Sequence, residues 1–136
     1  GLVEGWSAVI VGIGNLGSAL AHYGGFREKG FGIVGLFDAD PKKVNSQVAG
    51  LVIKPLSDLE KYCEKFNVAI GIIATPGQYA QEVADELINC GVRSILNFAP
   101  VLLKNTPDVQ IRSVDLSQEL QILSYYLDRP VLKAVD

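Results

Sequence analysis

At 136 residues the chain is the size of one domain, long enough to bury roughly two-thirds of its unfolded surface without disulfides or metals. A composition of 49% hydrophobic and 20% charged residues is that of a compact soluble protein, and no apolar run approaches the ~18 residues that cross a bilayer. The net charge of −3, without a basic block, argues against a direct grip on nucleic acid by this chain. No secretory signal opens the sequence, so a cytoplasmic protein with no membrane partner is expected. Cys63 and Cys90 have no second Cys or His at metal-ligand spacing, which predicts buried thiols and no metal site. The sequence holds no Met and begins Gly1-Leu2, from which a fragment lacking its upstream part is expected, although N-terminal processing leaves the same trace.

The first predicted strand covers residues 7–11 and runs into Gly12-Ile13-Gly14-Asn15-Leu16-Gly17. This is the G-x-G-x-x-G fingerprint in its proper context, between a strand and a helix. The first glycine permits the turn, the second lets backbone N–H groups approach a pyrophosphate, and the third lets helix and strand pack closely. Leu16, Ala19, Leu20 and Tyr23 then recur at helical spacing, predicting a helix over residues 15–23 whose unpaired N-terminal amides form an anion site. The alternative for this stretch is a tight turn in a flavodoxin-like fold that binds something other than a dinucleotide.

After Gly24-Gly25 and a polar stretch, residues 31–37 form a near-continuous apolar run, the mark of a strand covered on both faces. Asp38 follows at its carboxyl end, 21 residues beyond Gly17. A carboxylate there accepts hydrogen bonds from the adenosine ribose and repels a 2′-phosphate, so NAD(H) is expected over NADP(H). Asp40-Pro41 has the form of a capped helix start, and a bland reading of Asp38 is a second solvated or capping acid.

A short strand is predicted over residues 48–53, and Ser57-Asp58-Leu59-Glu60 resembles a capping box opening a helix to about residue 66. Residues 68–73 read as another buried strand ending in Ala74-Thr75-Pro76, which is either a ligand contact or a plain strand-to-helix junction. A helix over 78–89 stops at Gly91, and a strand over 92–97 ends in Asn97-Phe98-Ala99-Pro100. The alternation specifies an α/β, Rossmann-like, doubly wound and mostly parallel sheet, with the glycine loop, Asp38, residues 74–76 and 97–100 at the carboxyl ends of its strands.

The tail differs. Residues 109–114 alternate like a last strand, and then Leu116, Leu120, Leu123 and Leu127 make an apolar stripe that Ile122 and Tyr126 widen, up to Arg129-Pro130. That stripe covers a groove in its own subunit or in a second copy, the exchanged arrangement being favoured. Asp115, just before it, reads equally well as a charge suited to a helix N-terminus. The expected organisation is residues 1–115 as the nucleotide-binding unit, 116–128 as a dimerisation helix and 129–136 as a tail. His22, the only histidine, falls beyond the turn that would face phosphate, and no Tyr-x-x-x-Lys pair is present. The chain is thus equipped to hold a cofactor and not to use it, and no catalytic residue is expected.

With these residues in view, the sequence resembles the C-terminal NAD(H)-binding domain of the Rex family of redox-sensing transcriptional repressors. The resemblance spans residues 6–129 and rests on residues 11–20, Phe37-Asp38-Ala39-Asp40-Pro41, Ala74-Thr75-Pro76, Asn97-Phe98-Ala99-Pro100, and Val114-Asp115-Leu116-Ser117 leading into residues 120–127. It implies a homodimer with exchanged C-terminal helices, in which NADH and NAD compete for each groove. Gly12, Ile13, Gly14, Asn15, Leu16 and Gly17 would hold the pyrophosphate, Asp38 the adenosine ribose, and residues 74–76 with 97–100 the nicotinamide side. Asp115 and Leu116 would lie near the nicotinamide of the other subunit. NADH would then release the full-length repressor from operator DNA, which the family grips through an N-terminal winged-helix domain without counterpart in these 136 residues. The competing expectations are a CoA-binding domain of the succinyl-CoA synthetase type and the cofactor domain of a truncated dehydrogenase.

Overall fold

The computed structural model describes residues 5–104, 106–116, 123 and 127. Among them the chain forms a seven-stranded sheet: β1 (Trp6–Val11), β2 (Phe31–Asp38), β3 (Gln47–Val48), β4 (Leu51–Pro55), β5 (Ile70–Ile73), β6 (Ser94–Asn97) and β7 (Gln110–Ser113). The spatial order is β3-β4-β2-β1-β5-β6-β7, and only the β3–β4 pairing is antiparallel. The helices are α1 (Asn15–His22), α2 (Gly25–Glu28), α3 (Leu59–Phe66) and α4 (Gly77–Asn89). The expected Rossmann-like, mostly parallel architecture is therefore what the chain adopts.

Why these residues make this sheet follows from the pleat, which sends alternate side chains to opposite faces. Val9 and Val11 join Phe37, Leu59, Cys63, Val83 and Leu87 in a core beneath α3 and α4, whereas Ala8 and Ile10 join Leu36, Ile53 and Ile72 on the other face, with Leu20 of α1 and Phe26 of α2 against them. Both faces of β1 and β2 are covered, so neither strand shows an alternating polar pattern. Each fully buried Ile, Leu or Phe here contributes about 1.5–3 kcal/mol.

Three local expectations differ from the structure. No helix follows Pro41: Asp40 accepts the Lys42 N–H through its carboxylate at 2.9 Å and the Lys43 N–H through its carbonyl at 3.0 Å, but Asn45 then turns left-handed (φ 77°). The single strand expected over 48–53 is instead the β3–β4 hairpin, turned by Ala49 (φ 54°) and Gly50 (φ 81°). That pair of positive φ values is the sense of twist a two-residue hairpin needs, but Ala-Gly lacks the Asn or Asp that usually announces it. The capping box is also absent, since neither the 3₁₀ turn Leu56–Asp58 nor α3 has a side-chain cap. At the end of α4, Gly91 (φ 100°) does close the helix as expected, its N–H donating to the Ile88 carbonyl at 3.1 Å.

Leu116, Leu123 and Leu127 are helical and 38%, 59% and 74% exposed. The expectations for Leu120, Ile122, Tyr126 and Arg129-Pro130 lie outside the described residues, and so does the exchange of the helix.

Candidate functional site

The site is built where β1 turns into α1. The Gly12 N–H donates to the Phe37 carbonyl at 2.8 Å, tying the turn to β2, and Gly12 itself has φ 98°. A Cβ on Gly12 would stand 2.7 Å from the backbone of Ala74 and Thr75, and one on Gly17 would overlap the Gly12 carbonyl oxygen. Both glycines are thus required by the protein's own packing. Gly14 is not, because a Cβ there would meet nothing within 4 Å. It caps α1 at φ −87°, a value open to any residue, and offers no side-chain cap to the first amides of the helix. These amides have no intrahelical acceptor. The bare backbone at Gly14 leaves room for an anion beside them.

Asp38 ends β2 and turns its carboxylate onto the loop, where Oδ2 accepts the Ile13 N–H at 2.7 Å and Oδ1 accepts the Asp40 N–H at 2.8 Å. Lys43 donates from Nζ to the Ile13 carbonyl at 3.1 Å. The Ile13 residue is therefore clamped at both backbone groups by side chains from the last residue of β2 and from the turn beyond it. Each Asp38 oxygen keeps a further lone pair, so the acid remains able to accept hydroxyl donors.

Gly12, Gly14, Asp38, Ala74, Thr75 and Pro76 line one cleft of about 650 Å³ at the carboxyl ends of the strands. Lys43, Leu56, Tyr79, Glu82 and Glu86 are among the residues that share its walls, and the sequence singles out none of these five for it. Lys43 and Leu56 enter from the β2 and β4 ends, and the other three come from one face of α4, whose spacing reads in sequence as ordinary helix surface. Burial pushes the Glu86 carboxyl above its usual range, with the charges of Glu60 and Glu82 adding to the effect. Ile13 is buried, and Asn15 and Leu16 lie at the start of α1.

Residues 97–100 stand beside the cleft and not in its wall. The Phe98 N–H donates to the Ile73 carbonyl at 2.8 Å, which extends the β5–β6 ladder by one bond beyond Asn97. Asn97 is 0% exposed and its side chain is bound within the protein. Asp115 and Leu116 follow β7, whose register partner is β6 through Asn97 and Ser113. The His22 ring lies against the Ser18 carbonyl, 2.9 Å away and one helical turn back. A larger cleft of about 820 Å³ opens at the opposite, amino ends of the strands, lined by Trp6, Phe26, Phe31, Arg93 and Arg112 among others. It contains neither the glycine loop nor Asp38, and ligands of parallel sheets bind at the carboxyl ends. Among the described residues no group of His, Cys, Asp and Glu could hold a metal ion, and no helix is long and apolar enough to cross a membrane.

Residues 3–101 match the profile of the CoA-binding domain. The chain belongs to the CoA-binding domain family. Within that family its likeness is to the Rex repressors, as the sequence led one to expect. The redox-sensing transcriptional repressor Rex of Desulfitobacterium hafniense is 49% identical over 125 residues, covering 92% of this chain and 60% of the relative. The chain thus spans about 60% of that relative's length. A crystal structure of RSP in complex with β-NAD⁺ and operator DNA superposes with a TM-score of 0.85 at 34% identity, covering 94% of this chain and 59% of that one. RSP in complex with β-NADH gives 0.84 at 32% identity over 99% of this chain and 66% of that one. These relatives are thus named as a redox-sensing repressor, or as complexes with β-NAD⁺ and operator DNA or with β-NADH.

Proposed function

We propose that the chain is the NADH/NAD-sensing and dimerisation domain of a redox-responsive transcriptional repressor, working in the cytoplasm and catalysing no reaction. The observation that carries this reading is the conjunction of an open Gly14 at the start of α1 with an Asp38 carboxylate fixed on the same loop. Gly12, Gly14 and Gly17 with Ile13, Asn15 and Leu16 hold the pyrophosphate in this reading, and Asp38 accepts the adenosine ribose hydroxyls. The second half of a dinucleotide then extends across β1 toward β5 and β6, to Ala74, Thr75, Pro76, Phe98, Ala99 and Pro100, the last three on the loop that follows Asn97. Asp115 and Leu116 meet the ligand of the other subunit.

Residues 1–115 form the binding unit, 116–128 the dimerisation helix and 129–136 a tail. The exposure of Leu116, Leu123 and Leu127 supports a homodimer through them and Leu120. Changing Leu123→Asp with Leu127→Asp is expected to give monomers in light scattering, and an intact dimer would refute that part. In the full-length protein a winged-helix domain binds operator DNA, and NADH releases it by favouring one of two dimer arrangements, which needs only a differential affinity of NADH for them.

The family's name favours a second reading, a CoA site of the succinyl-CoA synthetase type. The ribose 3′-phosphate of CoA would have to sit against the Asp38 charge, which supports NADH instead. Calorimetric titration with NADH, NAD, NADPH and CoA tests the choice: NADH is expected to bind most tightly. No NADH binding would refute the sensor, and tighter binding of CoA would install the second reading.

A further inference from the structure

Asn97 is the only polar side chain fully buried among the described residues. It ends β6 next to the loop of residues 98–101, and its amide is spent on that loop. Oδ1 accepts the Ala99 N–H at 3.0 Å, while Nδ2 faces the carbonyl oxygens of Ala99 at 3.3 Å and Val101 at 3.0 Å, with the Ser113 hydroxyl at 3.4 Å. Its backbone carbonyl accepts the Val114 N–H at 2.8 Å. The loop it gathers presses on the start of α4, since a Cβ on Gly77 would stand 2.7 Å from Val101 Cγ1. Residues 98–101 are therefore held against the junction Ala74-Thr75-Pro76 that walls the cleft.

We infer that Asn97 is a positioning residue for the nicotinamide half of the site: it touches no ligand and presets the loop that does. The inference rests on the dinucleotide reading above, because it needs the second half of the ligand to lie over β5 and β6. The side-chain chemistry supports it. A primary amide is one of the few buried groups that both accepts from one backbone N–H and donates to two carbonyls, and every donor and acceptor it has on this loop is a backbone group. An Asp in its place would set a carboxylate oxygen against the Ala99 and Val101 carbonyls.

The test separates the two halves of the ligand. ADP-ribose carries the adenosine, pyrophosphate and second ribose, and lacks the nicotinamide. In Asn97→Ala, the affinity for NADH is expected to fall at least tenfold, with ADP-ribose changing less than threefold; equal losses for both ligands, or no loss for NADH, would overturn the assignment. Hydrogen exchange on the ligand-free wild-type protein gives a second readout that needs no variant. The Ala99 amide is expected to be protected at least a hundredfold before any ligand is added, and an unprotected amide would show that the loop is not preset. Wild-type protein that binds neither NADH nor ADP-ribose would refute the dinucleotide reading itself, an outcome distinct from binding both with no change in Asn97→Ala.

Discussion

Gly14→Ala separates what the fold requires from what a ligand requires. The new methyl enters space with no atom within 4 Å, at a φ of −87° that any residue adopts. Two small effects on stability oppose each other. Alanine is a poorer N-cap than glycine by about 0.5–1 kcal/mol, and it restricts the unfolded chain, which stabilises by about 0.4–1 kcal/mol. The net change lies within about 1 kcal/mol, a Tm shift of no more than ~4 °C for a chain of this size. Binding should respond differently. A pyrophosphate lying against the first amides of α1 would be pushed outward by the methyl, and each charge-assisted hydrogen bond it gives up is worth about 1.5–3 kcal/mol. NADH affinity should therefore drop roughly 10- to 150-fold for one such bond lost. Scanning calorimetry and titration of the same preparation read both quantities. Unchanged NADH affinity would refute the placement of the anion, and a large fall in Tm would refute the open space.

Gly17→Ala should do the reverse of Gly14→Ala, because its Cβ overlaps the backbone carbonyl of Gly12, which cannot rotate away. A loss of about 1–3 kcal/mol or more in urea denaturation is expected, with α1 forced off β1, and wild-type stability would contradict the packing. Asp38→Asn leaves either the Ile13 or the Asp40 N–H facing an amide NH₂, since each now bonds a different carboxylate oxygen; about 1–3 kcal/mol of stability should be lost. The same change removes the negative charge, so the ratio of NADPH to NADH dissociation constants should narrow at least ~10-fold, and an unaltered ratio would remove Asp38 from the ribose. Burial, with Cys90 beside it, pushes the Cys63 thiol up from 9.0 to about 12. The unfolded chain then loses its thiol proton at a lower pH than the folded one, so this contribution to stability is complete below pH 9 and is lost as pH rises toward 12. Cys63→Ala should lower stability overall yet flatten its decline between pH 8 and 10.5, and parallel declines in both proteins would exclude the thiol as the cause.

The parts of this protein legible from sequence are those governed by local rules. Apolar runs bounded by turns gave β1, β2, β5 and β6. Helical spacing gave α1, Gly91 gave the end of α4, and α3 forms where a capping-box pattern announces it although that cap is not made. Local patterning failed at residues 41–58, where an Asp-Pro start, a hairpin without Asn or Asp and a false capping box each depended on how the chain is redirected from β2 to β4. The pairing of β4 with β2 forces that redirection, and no short window of sequence contains it.

The amino-acid sequence by itself determined the spaced glycines, the acid at the end of the second strand and the alternation that brings them to one edge of a parallel sheet. Tertiary structure decided what each glycine is for, since Gly12 and Gly17 are filled by neighbours and Gly14 is not. It also decided that Asp38 and Lys43 clamp the Ile13 backbone and that Asn97 gathers residues 98–101. The physical reason is range. Helix and strand preferences act over a few residues, whereas the Asp38 and Lys43 contacts to Ile13 join groups 25 and 30 residues apart, which meet only when β1 and β2 pair.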